Sequence, residues 1–344
     1  MGRPVGVYAY TAVAMKAAPG ACFLGALLAV GACNGERVLA LASPSGAAGN
    51  QATGGAGGTI IDAGGTGGTG GATGNGTDAG GWKPFGTPQI VTGLRSDSDD
   101  VFDPSMTFEG LELYFASTTG GQTDIWVSTR TVATDPWGPS TMVAELSSAA
   151  NDRAPEVSVD GLTMYLASDR VGDGGGTGMR VYVSQRRTRD TPWVTPVLVK
   201  DLGTSTLDEA PGIDRTELYL AFASQRGAAT GAHLFSATRP DTSAVWQNPT
   251  ELSALDSAWE DTDPALFSNG SGLLFASRRL TQGGTSDLFE AARPDESSPF
   301  RSLAPVAELN TTSNEGGPWM SQDGTLILFA SDRSGTMRIY QASR

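Results

Sequence analysis

A repeat of about fifty residues fills the C-terminal three-quarters of this chain and constrains its fold more than any other feature. Pro104, Pro155, Pro211, Pro264 and Pro318 follow one another at spacings of 51, 56, 53 and 54 residues. Thirteen residues after each proline stands a serine: Ser117, Ser168, Ser224, Ser277 and Ser331. Ahead of each proline lies an aromatic with a leucine nine residues on: Phe85/Leu94, Trp137/Leu146, Trp193/Leu202, Trp246/Leu255 and Phe300/Leu309. Each unit closes on an arginine (Arg130, Arg186, Arg239, Arg293, Arg344), so the repeats run 85–130, 137–186, 193–239, 246–293 and 300–344. A period of this length predicts a propeller or a solenoid, in which each unit buries its faces only against its neighbours.

Within the second unit, Trp137 to Leu146 is polar and proline-bearing, as edge strands are. Pro155 to Val159 alternates apolar and polar residues and reads as a half-buried strand. Asp160-Gly161 signals a two-residue type I′ hairpin, with positive φ at both positions. Met164 to Ala167 is a continuous apolar run, suited to a strand covered on both faces, and the loop Gly172–Gly178 leads to a third strand at Val181 to Val183. The other units follow this plan. Unit three has no hairpin glycine (Ile213-Asp214-Arg215-Thr216), so a different turn is expected there. Four short antiparallel strands per unit predict an all-β propeller of five four-stranded blades.

The stretches Pro155 to Arg170 and Pro318 to Arg333 run proline, serine, Asp-Gly, apolar strand, Ser-Asp-Arg. That order resembles the WD40-like propeller repeat of TolB and its relatives. The resemblance covers residues 85–344, although units one, three and four match it less well. It implies that the proline-bearing strand is innermost and the aromatic-led strand outermost. The chain then begins with an outer-type strand (Phe85 to Leu94) and ends one strand short, so the first strand is expected to complete the last blade and close the ring. The alternative is a larger ring completed by a second chain; a monomeric propeller is the expectation.

The N-terminus reads as an export signal over residues 1–32, with a start at Met1 or at Met15-Lys16 and an apolar run through Phe23, Leu24, Leu27, Leu28 and Val30. Val30-Gly31-Ala32-Cys33 resembles the lipobox of bacterial lipoproteins, which implies lipidation at Cys33 and attachment to a membrane through that lipid alone. Cys22 falls within the signal, so the mature chain would hold a single cysteine, without a disulfide partner or a cysteine-based metal site. Residues 33–81 are dominated by Gly, Ala and Thr and read as a disordered tether, because such a segment cannot bury enough apolar surface to offset its ordering entropy. A formal charge of −14 argues against nucleic acid as a partner. The expected setting is the cell envelope, periplasmic or anchored at the outer membrane, with an envelope protein or a glycan as the partner.

An acid precedes each inner strand (Asp100, Asp152, Asp208, Asp261, Glu315), and four units carry an arginine two residues past the serine: Arg170, Arg226, Arg279 and Arg333. Both sets should surround one mouth of the ring. They form either a polar funnel for a ligand or ion pairs tying each blade to its neighbour, and the repetition favours ties. Trp319 and Trp259 break the symmetry and, with Glu156 and the acids, are the candidate binding residues, expected at that same mouth. His233 is the only histidine and reads as a surface or hydrogen-bonded residue; no metal site, cofactor motif or nucleophile elbow is recognisable. The reading is a non-catalytic binding or scaffolding propeller. A glycan-processing enzyme, with Asp152, Glu156 and Asp208 converging at glycosidase separations, is the alternative.

Overall fold

The computed structural model describes residues 81–344, apart from 97, 172–177, 204–206 and 228–230. The signal, Cys33, the tether and most of the Gly172–Gly178 loop therefore lie outside the described residues. Among the described residues twenty strands form five four-stranded antiparallel sheets. Blade one is β2 (Asp100–Met106), β3 (Glu112–Thr119), β4 (Gln122–Thr129) and β5 (Thr141–Met142). Blade two is β6 (Asp152–Val157), β7 (Thr163–Ser168), β8 (Arg180–Gln185) and β9 (Val197–Leu198). Blade three is β10 (Asp208–Ile213), β11 (Tyr219–Ser224), β12 (His233–Thr238) and β13 (Gln247–Glu251). Blade four is β14 (Asp261–Phe267), β15 (Gly272–Ser277), β16 (Asp287–Ala292) and β17 (Arg301–Pro305). Blade five joins β18 (Glu315–Met320), β19 (Leu326–Ser331) and β20 (Arg338–Ser343) to β1 (Gln89–Ile90) from the other end of the sequence.

The ring thus closes within one chain, with five blades. Gln89 pairs with Gln341 and Ile90 with Tyr340, and the Gly86 N–H donates to the Ser343 carbonyl at 2.8 Å. Arg344 seals the joint. Its Nε donates to the Gly324 carbonyl at 2.7 Å and its guanidinium lies 4.5 Å from the centre of the Phe85 ring. Every unit repeats this device: Arg130, Arg186, Arg239 and Arg293 bind the hairpin carbonyls of Gly110, Gly161, Glu217 and Gly270 and lie over Trp137, Trp193, Trp246 and Phe300. The closing arginine and the leading aromatic are therefore two halves of one cation–π contact, worth about 0.5–2 kcal/mol according to desolvation.

The core lies between blades. Tyr165 and Val181 of blade two pack with Ile213, Leu220 and Phe222 of blade three, and comparable layers fill the other junctions. The middle strands β7, β11 and β15 are buried along their whole length, which accounts for their unbroken apolar runs.

The hairpins correct the sequence reading. In the hairpin of blade two Gly161 has positive φ (+74°) but Asp160 does not, so the turn is not type I′. The Gly161 N–H donates to the Ser158 carbonyl, and the Ser158 hydroxyl accepts from the Leu162 and Thr163 N–H groups. Blade three uses the same geometry rather than another turn. Glu217 takes the left-handed place (φ 57°), and the Asp214 carboxylate accepts from Leu218 and Tyr219.

Candidate functional site

We call the face where the inner strands begin upper, and the face where they end lower. At the upper face Asp152, Asp208, Asp261 and Glu315 are almost wholly buried and meet Arg170, Arg226, Arg279 and Arg333 at 2.5, 2.8, 2.6 and 3.0 Å. Each arginine also donates to the serine two residues before it and to the carbonyl of Leu146, Leu202, Leu255 or Leu309. The carboxylate belongs to the arginine's own blade and the carbonyl to the connection arriving from the preceding one. The four acids are engaged in these clamps.

Blade one lacks the clamp. Val101, not Asp100, pairs with Ser117 in the register that Asp152, Asp208, Asp261 and Glu315 share with their serines, and the Ser117 hydroxyl is buried without a hydrogen-bond partner. Asp100 instead accepts from the Met337 N–H at 3.1 Å.

The inner strands carry a feature that sequence reasoning missed. The residue before each motif proline is left-handed: Asp103, Ala154, Ala210, Asp263 and Gly317, with φ between 48° and 54°. The pairing register of every inner strand slips at that point, a β-bulge that turns these residues into the channel. Asp103 accepts from the Ala154 N–H at 3.1 Å and Asp263 from the Gly317 N–H at 2.9 Å, while Arg153 pairs with Glu209. Gly317 must be glycine, because a Cβ there would stand 2.7 Å from Asp103 Oδ1. Burial and the facing Asp263 carboxylate push Asp103 up to about 7, against the pull of Arg153. The cavity at this waist is about 30 Å³, room for one or two waters.

Below the waist the channel widens into a cavity of about 280 Å³. Met106, Val157, Ile213, Leu266, Trp319 and Met320 give it apolar walls, and Phe108 stands exposed at its rim. Glu156 reaches it from above. Its Oε2 accepts from the Ser105 hydroxyl at 3.0 Å, and burial pushes the carboxyl up to about 8 despite that bond and one from the Ile213 N–H. The side-chain carbonyl of Gln322 is buried at the same cavity with no hydrogen-bond partner. The other polar groups there are engaged: Asp214 by its own turn, Asp323 by Ser321 and Thr325. The cavity therefore presents an apolar wall, a neutral carboxyl able to donate, and an unused acceptor.

Trp259 and Trp319 lie at opposite ends of the ring rather than at one mouth. Trp319 is near the lower end of β18, whereas Trp259 precedes β14 at the upper rim, 40% exposed, with its ring against Gly283. Strand direction alone separates them, and it was available from the repeat. Of the proposed site residues, only Glu156 and Trp319 meet at one cavity.

No family model matches the chain, and no curated protein does. Solved structures that it resembles include a putative TolB from Agrobacterium tumefaciens (16% identity over 67% of this chain and 69% of that one, TM-score 0.43). TolB from Acinetobacter baumannii matches at 15% identity and TM-score 0.45 over 73% of this chain, which spans little more than half (56%) of that protein. The endo-arabinase from Bacteroides thetaiotaomicron matches at 15% identity over 76% of this chain and 98% of that one, TM-score 0.51. At these identities the likeness shows a shared propeller fold and nothing finer. Among the described residues no helix is long and apolar enough to cross a membrane.

Proposed function

We propose that this propeller is a non-catalytic binding module that takes an apolar side chain and its adjoining peptide group, from a protein partner, into the lower cavity. The observation that carries the reading is the pairing of Glu156 and Gln322 at one apolar cavity. A carboxyl held neutral near pH 7 donates one hydrogen bond, and an unpartnered amide carbonyl accepts one. A peptide group supplies the complement of both, and an apolar side chain fills the walls beside Trp319. A sugar fits less well, since hydroxyls set against Met106, Val157, Ile213 and Leu266 would lose hydrogen bonds to water at about 1–3 kcal/mol each.

The glycan-processing reading starts from Asp152, Glu156 and Asp208, of which Asp152 and Asp208 are held in ion pairs with Arg170 and Arg226. It leaves the waist carboxylates Asp103 and Asp263 and the fold shared with the endo-arabinase to draw on. The size of the waist weighs against it. A cavity of about 30 Å³ does not admit a sugar ring, and Asp103 and Asp263 are bound to backbone N–H groups of the next blade. The sequence reading of residues 1–81 places the module in the cell envelope on a lipid at Cys33, and Cys33→Ser should then release it from membranes.

Calorimetric titration of the full chain with N-acetyl-leucinamide and N-acetyl-phenylalaninamide, beside cellotriose and arabinotriose, tests the ligand class. The amides should bind and the Trp319→Ala variant should not bind them. Saccharide binding that Trp319→Ala abolishes would replace the peptide reading with a glycan one.

A further inference from the structure

At the upper outer rim of blade three, the chain's single histidine faces two carboxylates from other parts of the blade. His233 Nδ1 lies 3.4 Å from Glu251 Oε1 and 3.6 Å from Asp256 Oδ1, and the three ligand atoms are all within 4.8 Å of one another. We propose that His233, Glu251 and Asp256 form a binding site for one divalent transition-metal ion of the zinc type.

Three observations carry this. The first is distance. A tetrahedral centre with Zn–N and Zn–O bonds of about 2.0–2.2 Å holds its ligand atoms about 3.3–3.5 Å apart. The His233 separations match that spacing and exceed the 2.7–3.2 Å of a good N–H···O hydrogen bond. The second is that His233 Nδ1 and Asp256 Oδ1 are both buried atoms that face each other at 3.6 Å without a hydrogen bond of normal length. In blades one and four the residue at the place of Asp256 has settled work. The Ser147 hydroxyl accepts from the Ile125 N–H, and the Asn310 side chain accepts from the Leu288 N–H. Asp256 Oδ1 is released from any such bond.

The third observation is the broken symmetry. The register places Asp124, Arg180, Asp287 and Arg338 where blade three has His233. It places Met142, Leu198, Pro305 and Ile90 where blade three has Glu251. Only blade three gathers an imidazole and two carboxylates. The Glu251 side chain is 43% exposed, so an ion can arrive from solvent, and a fourth position stays open for water. Two carboxylates and an imidazole are oxygen and nitrogen donors of the kind zinc accepts. The site is remote from the lower cavity, so it is independent of the peptide reading.

Titration of the full chain with zinc chloride, followed by calorimetry and by thermal unfolding, tests the proposal. One equivalent of zinc should bind and raise the unfolding temperature. His233→Ala and Asp256→Asn should each weaken binding at least tenfold while unfolding near the metal-free parent. Anomalous diffraction at the zinc edge should place the ion between the three side chains. No saturable binding, or binding in both variants as strong as in the parent, would overturn it; the second result would point to Cys22 or Cys33 as the ligand instead.

Discussion

The upper and lower ends of the channel are built from the same five strands and treat their polar groups in opposite ways. At the upper end four of the five repeated acids are each met by an arginine that also binds a serine hydroxyl and a leucine carbonyl. At the lower end the repeat gives way to unlike residues, and the Gln322 side-chain carbonyl keeps hydrogen-bonding capacity that the protein does not use, beside the buried Glu156 carboxyl. Repetition in a propeller thus marks what holds the blades together, and departure from it marks where a ligand can be met.

The largest stability effect should come from the symmetric end. Arg226→Ala takes the arginine away from the buried Asp208 carboxylate and should cost about 3 kcal/mol, the range for breaking a buried pair from one side. Amide binding at the lower cavity should be unchanged. Denaturant unfolding beside calorimetry checks both, and a loss of binding in this variant would erase the division between the two ends.

Trp319→Ala should do the reverse. It should reduce amide affinity at least tenfold, about 1.4 kcal/mol, with a smaller stability loss than Arg226→Ala because Trp319 is only partly buried against its neighbours. Equal stability losses in the two variants would mean that the tryptophan serves packing.

The pH response sharpens the contrast further. Glu156 is held above its ordinary 4.5, up to about 8, so the folded chain keeps a proton that the unfolded chain has lost between those values. Stability should therefore fall as pH rises from about 4.5 to about 8 and level off above. One such group contributes at most about 1.4 kcal/mol per pH unit. Glu156→Gln should flatten that slope, and the decline left below pH 7 belongs to Asp103 together with the other buried acids that are pushed up, among them Asp263, Glu209 and Glu217. An unchanged slope in this variant would show that Glu156 is ionised in the folded protein at neutral pH.

The smallest effect compares two serines. Ser224→Ala removes an acceptor for Arg226 and a donor to Asp208 and should cost about 1 kcal/mol. Ser117→Ala deletes a hydroxyl that has no partner and should be neutral or slightly stabilising. Thermal unfolding of the pair checks this, and equal losses would mean that blade one has a hidden clamp.

Blade number, strand order and ring closure were legible because they rest on markers of fixed type at fixed spacing. The site was less so. The five left-handed bulge positions are two aspartates, two alanines and a glycine, so residue type carried no signal for a conformation imposed by the pairing of neighbouring strands. The misplaced Asp100 was avoidable: counting back three residues from Pro104, as Asp152 stands from Pro155, reaches Val101. The gathering of His233 with Glu251 and Asp256 required the register of β12 against β13, which no local pattern encodes.

The most direct test of the lower cavity as the binding site is a crystal structure of the full chain soaked with N-acetyl-leucinamide. The side chain should lie against Trp319 and Met320, with the amide between Glu156 and Gln322. Electron density for the amide at the upper rim beside Trp259, with the lower cavity holding only water, would contradict the account.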